Sequence, residues 1–247
     1  MNKIIRVGCA GWSLRKEHFH LFPDSGSHLE RYAQRFNCVE INSSFYRAHR
    51  LATYRRWAEA TPPDFRFSVK LPKRITHVNR LVGSADLISL FAAEVAGLQS
   101  KLGVVLVQLP PSLAFDMDVA SEFFTQLSEA LRCPIVVEPR HGSWFDERVD
   151  SYLNAWRIGR VAADPAVTPA AAEPIPSRGL IYYRWHGSPR VYYSSYEEVA
   201  LVSLAQRLHS GGDTLNEAWC IFDNTATGAA TSNALALQEC VATKNGD

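Results

Sequence analysis

The sequence predicts an α/β protein folded as a single closed (β/α)8 barrel of eight parallel strands, and three observations lead there. Eight short apolar or β-rich runs recur along 247 residues, helical patterns separate most of them, and no linker, internal repeat or low-complexity tract divides the chain. Alternating strands and helices imply parallel strands joined by right-handed crossovers. Eight such units in about 250 residues fit a closed barrel better than an open doubly wound sheet. The open sheet is the alternative, but GCAGWS after the first strand lacks the G-x-G-x-x-G spacing of a dinucleotide-binding turn.

In chain order the expected strands are IIRVGCA (4–10), CVEIN (38–42), RFSVK (66–70), GVVLVQL (103–109), PIVVEP (134–139), IGRVAAD (158–164), GLIYYRWH (179–186) and AWCIFD (218–223). Helices are expected over 28–36, 52–60, 84–99, 118–131, 146–156, 196–210 and 228–242, where apolar residues fall three and four apart. Leu87, Leu90, Phe91, Val95 and Leu98 show the pattern. The connection after strand six differs. DPAVTPAAAEPIPSRG (164–179) holds four prolines, and proline inside a helix costs about 3 kcal/mol, so an irregular loop is expected. The whole chain reads as one domain with a core over about 4–242.

Composition narrows the function classes. With 47% hydrophobic and 21% charged residues, the chain has the profile of a globular protein with a large core. A net charge of +1 and the lack of a basic run give no footprint for nucleic acid. The apolar run near the start is too short for a signal peptide and no segment reaches membrane-spanning length, so the expectation is a cytoplasmic protein with no membrane partner. Cys9, Cys38, Cys133, Cys220 and Cys240 are scattered, odd in number and never in a C-x-x-C pair, which favours reduced thiols over disulfides or a zinc knuckle. No sequence feature specifies an oligomeric state.

The chemistry is expected at the strand ends. In a barrel of parallel strands the C-terminal rim gathers side chains from several strands. Polar residues do fall late: Glu40 and Asn42, Lys70, Gln108, Glu138 and Arg140, Asp164, Arg184 and His186, Asp223 and Asn224. Strand side chains alternate, so Glu40 with Asn42, Glu138 with Arg140, and Arg184 with His186 each share a face. Glu138, Asp164 and His186 should then serve one small ligand, with Glu40 and Glu138 too far apart to share an atom. Trp12, Tyr46, His77, Trp144 and Trp185 follow or interrupt these ends and offer flat apolar walls, although parity turns Trp185 away from its neighbours and His77 reads equally well as a loop residue. Nothing pairs a base with Cys9, which argues against a thiol nucleophile.

VGCAGW (7–12), FNCVEINSSFYR (36–47), WAEATPPDFRFSVKLPKRITH (57–77), QLPPS (108–112), VVEPRHGSWF (136–145), YYRWHG (182–187) and FDNTATGAATSNAL (222–235) together resemble the YecE-like family, domain of unknown function 72. The resemblance runs to about residue 240. It implies a single-domain TIM-type barrel without an established activity. The positions it carries over are Gly8, Gly11, Trp12, Glu40, Asn42, Phe45, Tyr46, Lys70, Gln108, Pro110, Glu138, Arg140, Trp144, Arg184, His186, Gly187, Asn224 and Gly228. Cys9 and Ala10 stand where the family often has Thr and Ser, and at Asp223 the family pattern also admits Asn.

The reading that follows is an enzyme of hydrolase or lyase type doing acid–base chemistry on a small anionic molecule, phosphorylated or carboxylated, without a metal or cofactor. Arg140, Arg184 and Lys70 would clamp the anion. Glu138 and His186 would move the proton, with Glu40 as a further catalytic carboxylate. Asn42, Gln108, Asn224, Asp223, Asp164, Tyr46 and Trp12 would bind substrate. One alternative is an isomerase or phosphoesterase holding Mg, Mn or Zn on Glu138, Asp164, His186 and Asp223, although two arginines beside those carboxylates oppose a divalent ion. Another is a ligand-binding module that uses the same mouth without turnover.

Overall fold

The computed structural model describes residues 3–210 and 214–243. Its strands are β1 (Ile4–Cys9), β2 (Cys38–Ile41), β3 (Arg66–Lys70), β4 (Leu102–Gln108), β5 (Ile135–Glu138), β6 (Gly159–Arg160), β7 (Ala162–Asp164), β8 (Leu180–Trp185) and β9 (Glu217–Phe222). The helices are α1 (His28–Ala33), α2 (Leu51–Glu59), α3 (Ala85–Val95), α4 (Met117–Ala130), α5 (Glu147–Trp156), α6 (Glu198–His209) and α7 (Ala229–Thr243). Local chemistry fixes several helix starts. Ser27 and Glu30 form a capping box at α1, and Asp116 and Asp146 accept backbone N–H groups at α4 and α5. The proline-rich connection carries only a short 3-10 segment, Pro169–Ala172.

The single closed eight-stranded barrel expected from the sequence is not what forms. Backbone hydrogen bonding divides the strands into two parallel sheets, one of four strands in the order β1-β9-β8-β7 and one of five in the order β2-β3-β4-β5-β6. The reason is visible at both places where the sheets adjoin. Between β1 and β2, side chains take the backbone groups that a ladder would use. The Tyr32 hydroxyl accepts from Cys9 N at 2.8 Å and donates to Cys38 O at 3.0 Å. The Asn37 amide likewise accepts from Val7 N and donates to Ile5 O. One parallel bridge, Ala10 with Glu40, is left. At the other junction the sixth expected strand breaks at Val161, so β6 pairs with β5 while β7 pairs with β8.

The parallel bridge sets both sheets running the same way, so their C-terminal ends meet. Between the sheets lies a small inner core of Cys38, Val104, Leu106, Val136, Val161, Leu180, Tyr182, Trp219 and Ile221, drawn from both. The opposite strand faces pack against the helices through a much larger apolar cluster that includes Phe67, Val105, Phe123, Phe124 and Leu204. At the junction Gly8 is required by space, since a Cβ there would sit 2.3 Å from Cys38 O.

Candidate functional site

The inward parity that places Tyr182 in the inner core also places Arg184 and His186 above it. Arg184 is almost completely buried, at 1% exposure, and its guanidinium binds three carboxylates. Nε and Nη2 grip Glu40 at 2.9 and 2.7 Å, Nη1 reaches Glu138 Oε2 at 2.7 Å, and Nη2 reaches Asp223 Oδ2 at 2.9 Å. Glu40 and Glu138 do not share an atom, but they share this one cation. Below it the Tyr182 hydroxyl lies 3.0 Å from Glu40 Oε2 and 2.9 Å from Ser68 Oγ.

His186 is buried and has a carboxylate at each ring nitrogen: Nδ1 lies 3.1 Å from Asp223 Oδ2 and Nε2 lies 2.8 Å from Glu138 Oε1. Arg140 Nη2 is bonded to the same Glu138 oxygen and lies 2.7 Å from His186 Nε2. A ring nitrogen cannot donate and accept at once. The site thus offers two bonding states, with Nε2 protonated and donating to Glu138, or unprotonated and accepting from Arg140.

Burial alone would raise the Glu138 carboxyl, but Arg140, Arg184 and His186 outweigh it and hold it well below the usual carboxylate range. Asp223 is lowered in the same way: burial opposes, and Arg184, His186 and Lys70 prevail. Burial also works against the Arg184 charge, yet Glu40, Asp223 and Glu138 push its pKa well up. Lys70 is different. Burial, seconded by Arg184, lowers its amine to about 8 despite Glu40, Asp223 and Glu138 nearby.

The cluster has two tiers. Glu40, Glu138, Arg184 and His186 lie within, while Lys70, Asp223, the half-buried Arg140 and the half-buried Asn42 form the outer layer. Polar capacity is left over in that layer. Arg140 Nε and Asn42 Oδ1 are buried with no hydrogen-bond partner among the described residues. Asn42 Nδ2 reaches Asp223 Oδ1 at 3.4 Å. Beside Asn42 opens a cavity of about 560 Å³ lined in part by Trp12, Arg15, Arg47 and Thr225.

Several expected ligand groups stand elsewhere. Arg184 has its donors turned onto protein carboxylates. Asp164 accepts from the Tyr196 hydroxyl at 2.7 Å, and the Tyr196 ring packs at a tilt against Trp185, whose side chain points away from the cluster as parity requires. Asn224 holds Ser194 O and Asn233 Oδ1, tying the loop after β8 to α7. Gln108 donates to Leu109 O. Tyr46 is exposed, edge-on to Phe45, and lines a separate, more apolar cavity of about 660 Å³. Trp12 packs edge-on to Trp57, and buried Trp144 donates to Leu113 O, joining the loops after β4 and β5. The alternative metal set of Glu138, Asp164, His186 and Asp223 is not assembled: Asp164 is turned away, Glu138 and Asp223 are bound by Arg184, and no group of three His, Cys, Asp or Glu among the described residues has metal-holding geometry.

Three residues of the cluster's surroundings escaped the sequence reading. Ser68 and Tyr182 share the inward face with Lys70 and Arg184, so strict period-two counting would have found them. Tyr192, half-exposed with φ +70°, places its ring edge-on to His186 with centroids 6.0 Å apart. Burial, then Asp223, raises its hydroxyl above the usual range. It arrives on a loop, where no periodicity marks it.

Comparison with known proteins places this arrangement in a family. A family model described as "Protein of unknown function DUF72" matches residues 6–247. The UPF0759 protein YecE of Escherichia coli strain K12 is 39% identical over 82 residues, covering 33% of this chain and 30% of YecE. That match spans less than a third of YecE's length. The UPF0759 protein YunF of Bacillus subtilis is 22% identical over 96% of this chain and 94% of its own. Among solved structures, a DUF72 family protein of Enterococcus faecalis superposes with a TM-score of 0.80 at 22% identity, covering 97% of this chain and 96% of that one. A Thermotoga maritima DUF72 protein gives a TM-score of 0.78 at 25% identity, with 97% and 99% covered. With a family model matched over nearly its whole length, this chain belongs to the DUF72 family, whose function is unknown.

Proposed function

We propose that the charged cluster is the active site of an enzyme that performs acid–base chemistry, of hydrolase or lyase type, on a small anionic substrate. The observation that carries this reading is His186. Its Nδ1 is fixed by Asp223, while Nε2 stands between a carboxylate acceptor, Glu138, and a cationic donor, Arg140. A histidine held in one orientation with two alternative partners at the other nitrogen suits proton transfer near neutral pH. Asn at position 223 would still accept from Nδ1, so the arrangement tolerates the substitution that the family pattern admits.

Arg140 provides the fixed positive charge facing the ligand, with the Lys70 amine beside it, since Arg184 is spent on protein carboxylates. Arg140 keeps Nε uncommitted, and Asn42 contributes a free acceptor beside the open cavity. Glu40 acts through Arg184, holding the guanidinium so that Glu138 and Asp223 keep their places around the ring. Tyr192 covers His186 edge-on, with centroids 6.0 Å apart.

A thermal-shift screen of small phosphorylated and carboxylated compounds, followed by product analysis of the hits, tests the proposal. A hit should be consumed by the natural protein, and His186→Asn should bind it within a few-fold while turning it over about 10²–10⁴ times more slowly. A ligand bound tightly and returned unaltered would make this a binding module instead.

A further inference from the structure

Lys70 has a position that a clamp for anions does not need. It ends β3 on the inward face, with its side chain nearly buried, yet its amine makes no hydrogen bond and has no carboxylate within 4.0 Å among the described residues. Among the other buried lysines and arginines, Arg6, Arg160 and Arg184 are each tied to a carboxylate, and Arg31 donates to Pro23 O. The Lys70 amine lies instead over an aromatic face, with Nζ 4.2 Å from the Phe45 ring centre, and Phe45 is itself edge-on to His77. Ser44 Oγ lies 2.9 Å from Ile41 O and 2.6 Å from Lys70 O, so its one hydroxyl proton bridges the ends of β2 and β3.

An amine that is desolvated, lacks an ion-pair partner and stands near another cation is the setting in which lysine becomes a nucleophile toward carbonyl carbon. We propose that Lys70 is a covalent catalytic residue that forms a Schiff base with a substrate carrying both a carbonyl and an anionic group. This deepens the active-site reading above and rests on it for the place where the substrate binds. The neutral amine nitrogen forms a bond to the carbonyl carbon, giving a carbinolamine. The carbonyl oxygen then leaves as water, taking both nitrogen protons, and the carbon–nitrogen double bond remains. No oxidant or reductant is consumed. The anionic group lies against Arg140, and His186 with Glu138 moves protons to and from the departing oxygen.

The charged and titratable groups facing the amine are Arg184, Glu40, Asp223, Glu138 and His77. Burial and Arg184 together leave it substantially neutral above pH 8, and its neutral fraction at neutral pH exceeds that of an ordinary lysine on the order of a hundredfold.

The experiment uses pyridoxal 5′-phosphate, an aldehyde bearing a phosphate, as the probe. The full chain is treated with less than one equivalent, reduced with borohydride, digested and mapped by mass spectrometry. Lys70 should be labelled at least about tenfold faster than Lys3, Lys16, Lys73, Lys101 or Lys244, with a rate that rises through about pH 8. Lys70→Arg, which keeps the charge, should fold by circular dichroism and lose the label. Label spread over the surface lysines with Lys70 unmodified would overturn the proposal. Turnover of a substrate by Lys70→Arg at the natural rate would overturn it too, while leaving the acid–base reading intact. Conversely, Lys70 labelling that survives His186→Asn supports the nucleophile even if the relay assignment fails.

Discussion

Arg184 shows how one buried cation organises a whole site. Four of its five N–H donors meet three carboxylates, which repel one another, and none of the four groups is tolerable at this depth without the others. Arg184→Met should therefore cost about 3–5 kcal/mol or prevent folding, read as the loss of urea midpoint at constant slope. A loss under about 1 kcal/mol would mean that the carboxylates find other partners. Lys70 makes a prediction of opposite character. Its folded pKa of about 8 lies below the ordinary 10.5, so between these values the unfolded chain binds a proton that the folded one does not. Stability from this group thus rises with pH across that window, by up to roughly 3 kcal/mol. The natural protein should gain on Lys70→Met from pH 8 to 10.5 in parallel urea titrations, and a constant difference would contradict the assigned shift. The sequence made Lys70, Glu138 and His186 legible because each ends a strand. It did not reveal that Arg184 faces protein rather than ligand, since that depends on carboxylates supplied by β2, β5 and the end of β9.

Elements were the most legible level. Strands and helices lie close to where periodicity puts them, because alternation and 3.6-residue spacing are local properties. What the pattern missed is the seam between β1 and β2, where the Tyr32 hydroxyl stands in for a ladder hydrogen bond. Tyr32→Phe should leave Cys9 N and Cys38 O without that partner and cost about 1–3 kcal/mol. Gly8→Ala should force β1 away from Cys38 O and cost a similar amount. Both are read from thermal or urea unfolding, and both should raise amide exchange at Cys9 before it rises in the β8–β9 ladder. Equal protection of the two regions would remove the side-chain account of the seam.

At the scale of the whole molecule, two sheets running the same way bring charges from β2, β3, β5, β8 and β9 to one end, and acid should disclose their coupling. Glu138 and Asp223 are held below their ordinary values of 4.5 and 3.8, so the stability they contribute is complete above those values and is lost as pH falls through the lowered folded ones. Melting temperature should fall steeply below about pH 4.5, and Glu138→Gln should flatten the slope while lowering the plateau; an unchanged slope would place the acid-sensitive groups elsewhere. None of the helices among the described residues is long and apolar enough to cross a membrane. By itself the sequence determined the order of the elements, the proline-broken connection and the charge at the strand ends, because each is written in neighbouring residues. Only the tertiary structure decided that the strands divide into two sheets, that Asp164 turns outward and that Lys70 has no carboxylate within 4.0 Å among the described residues. A backbone donor or a buried charge takes the partner that distant segments bring within bonding distance, and no local pattern encodes that choice.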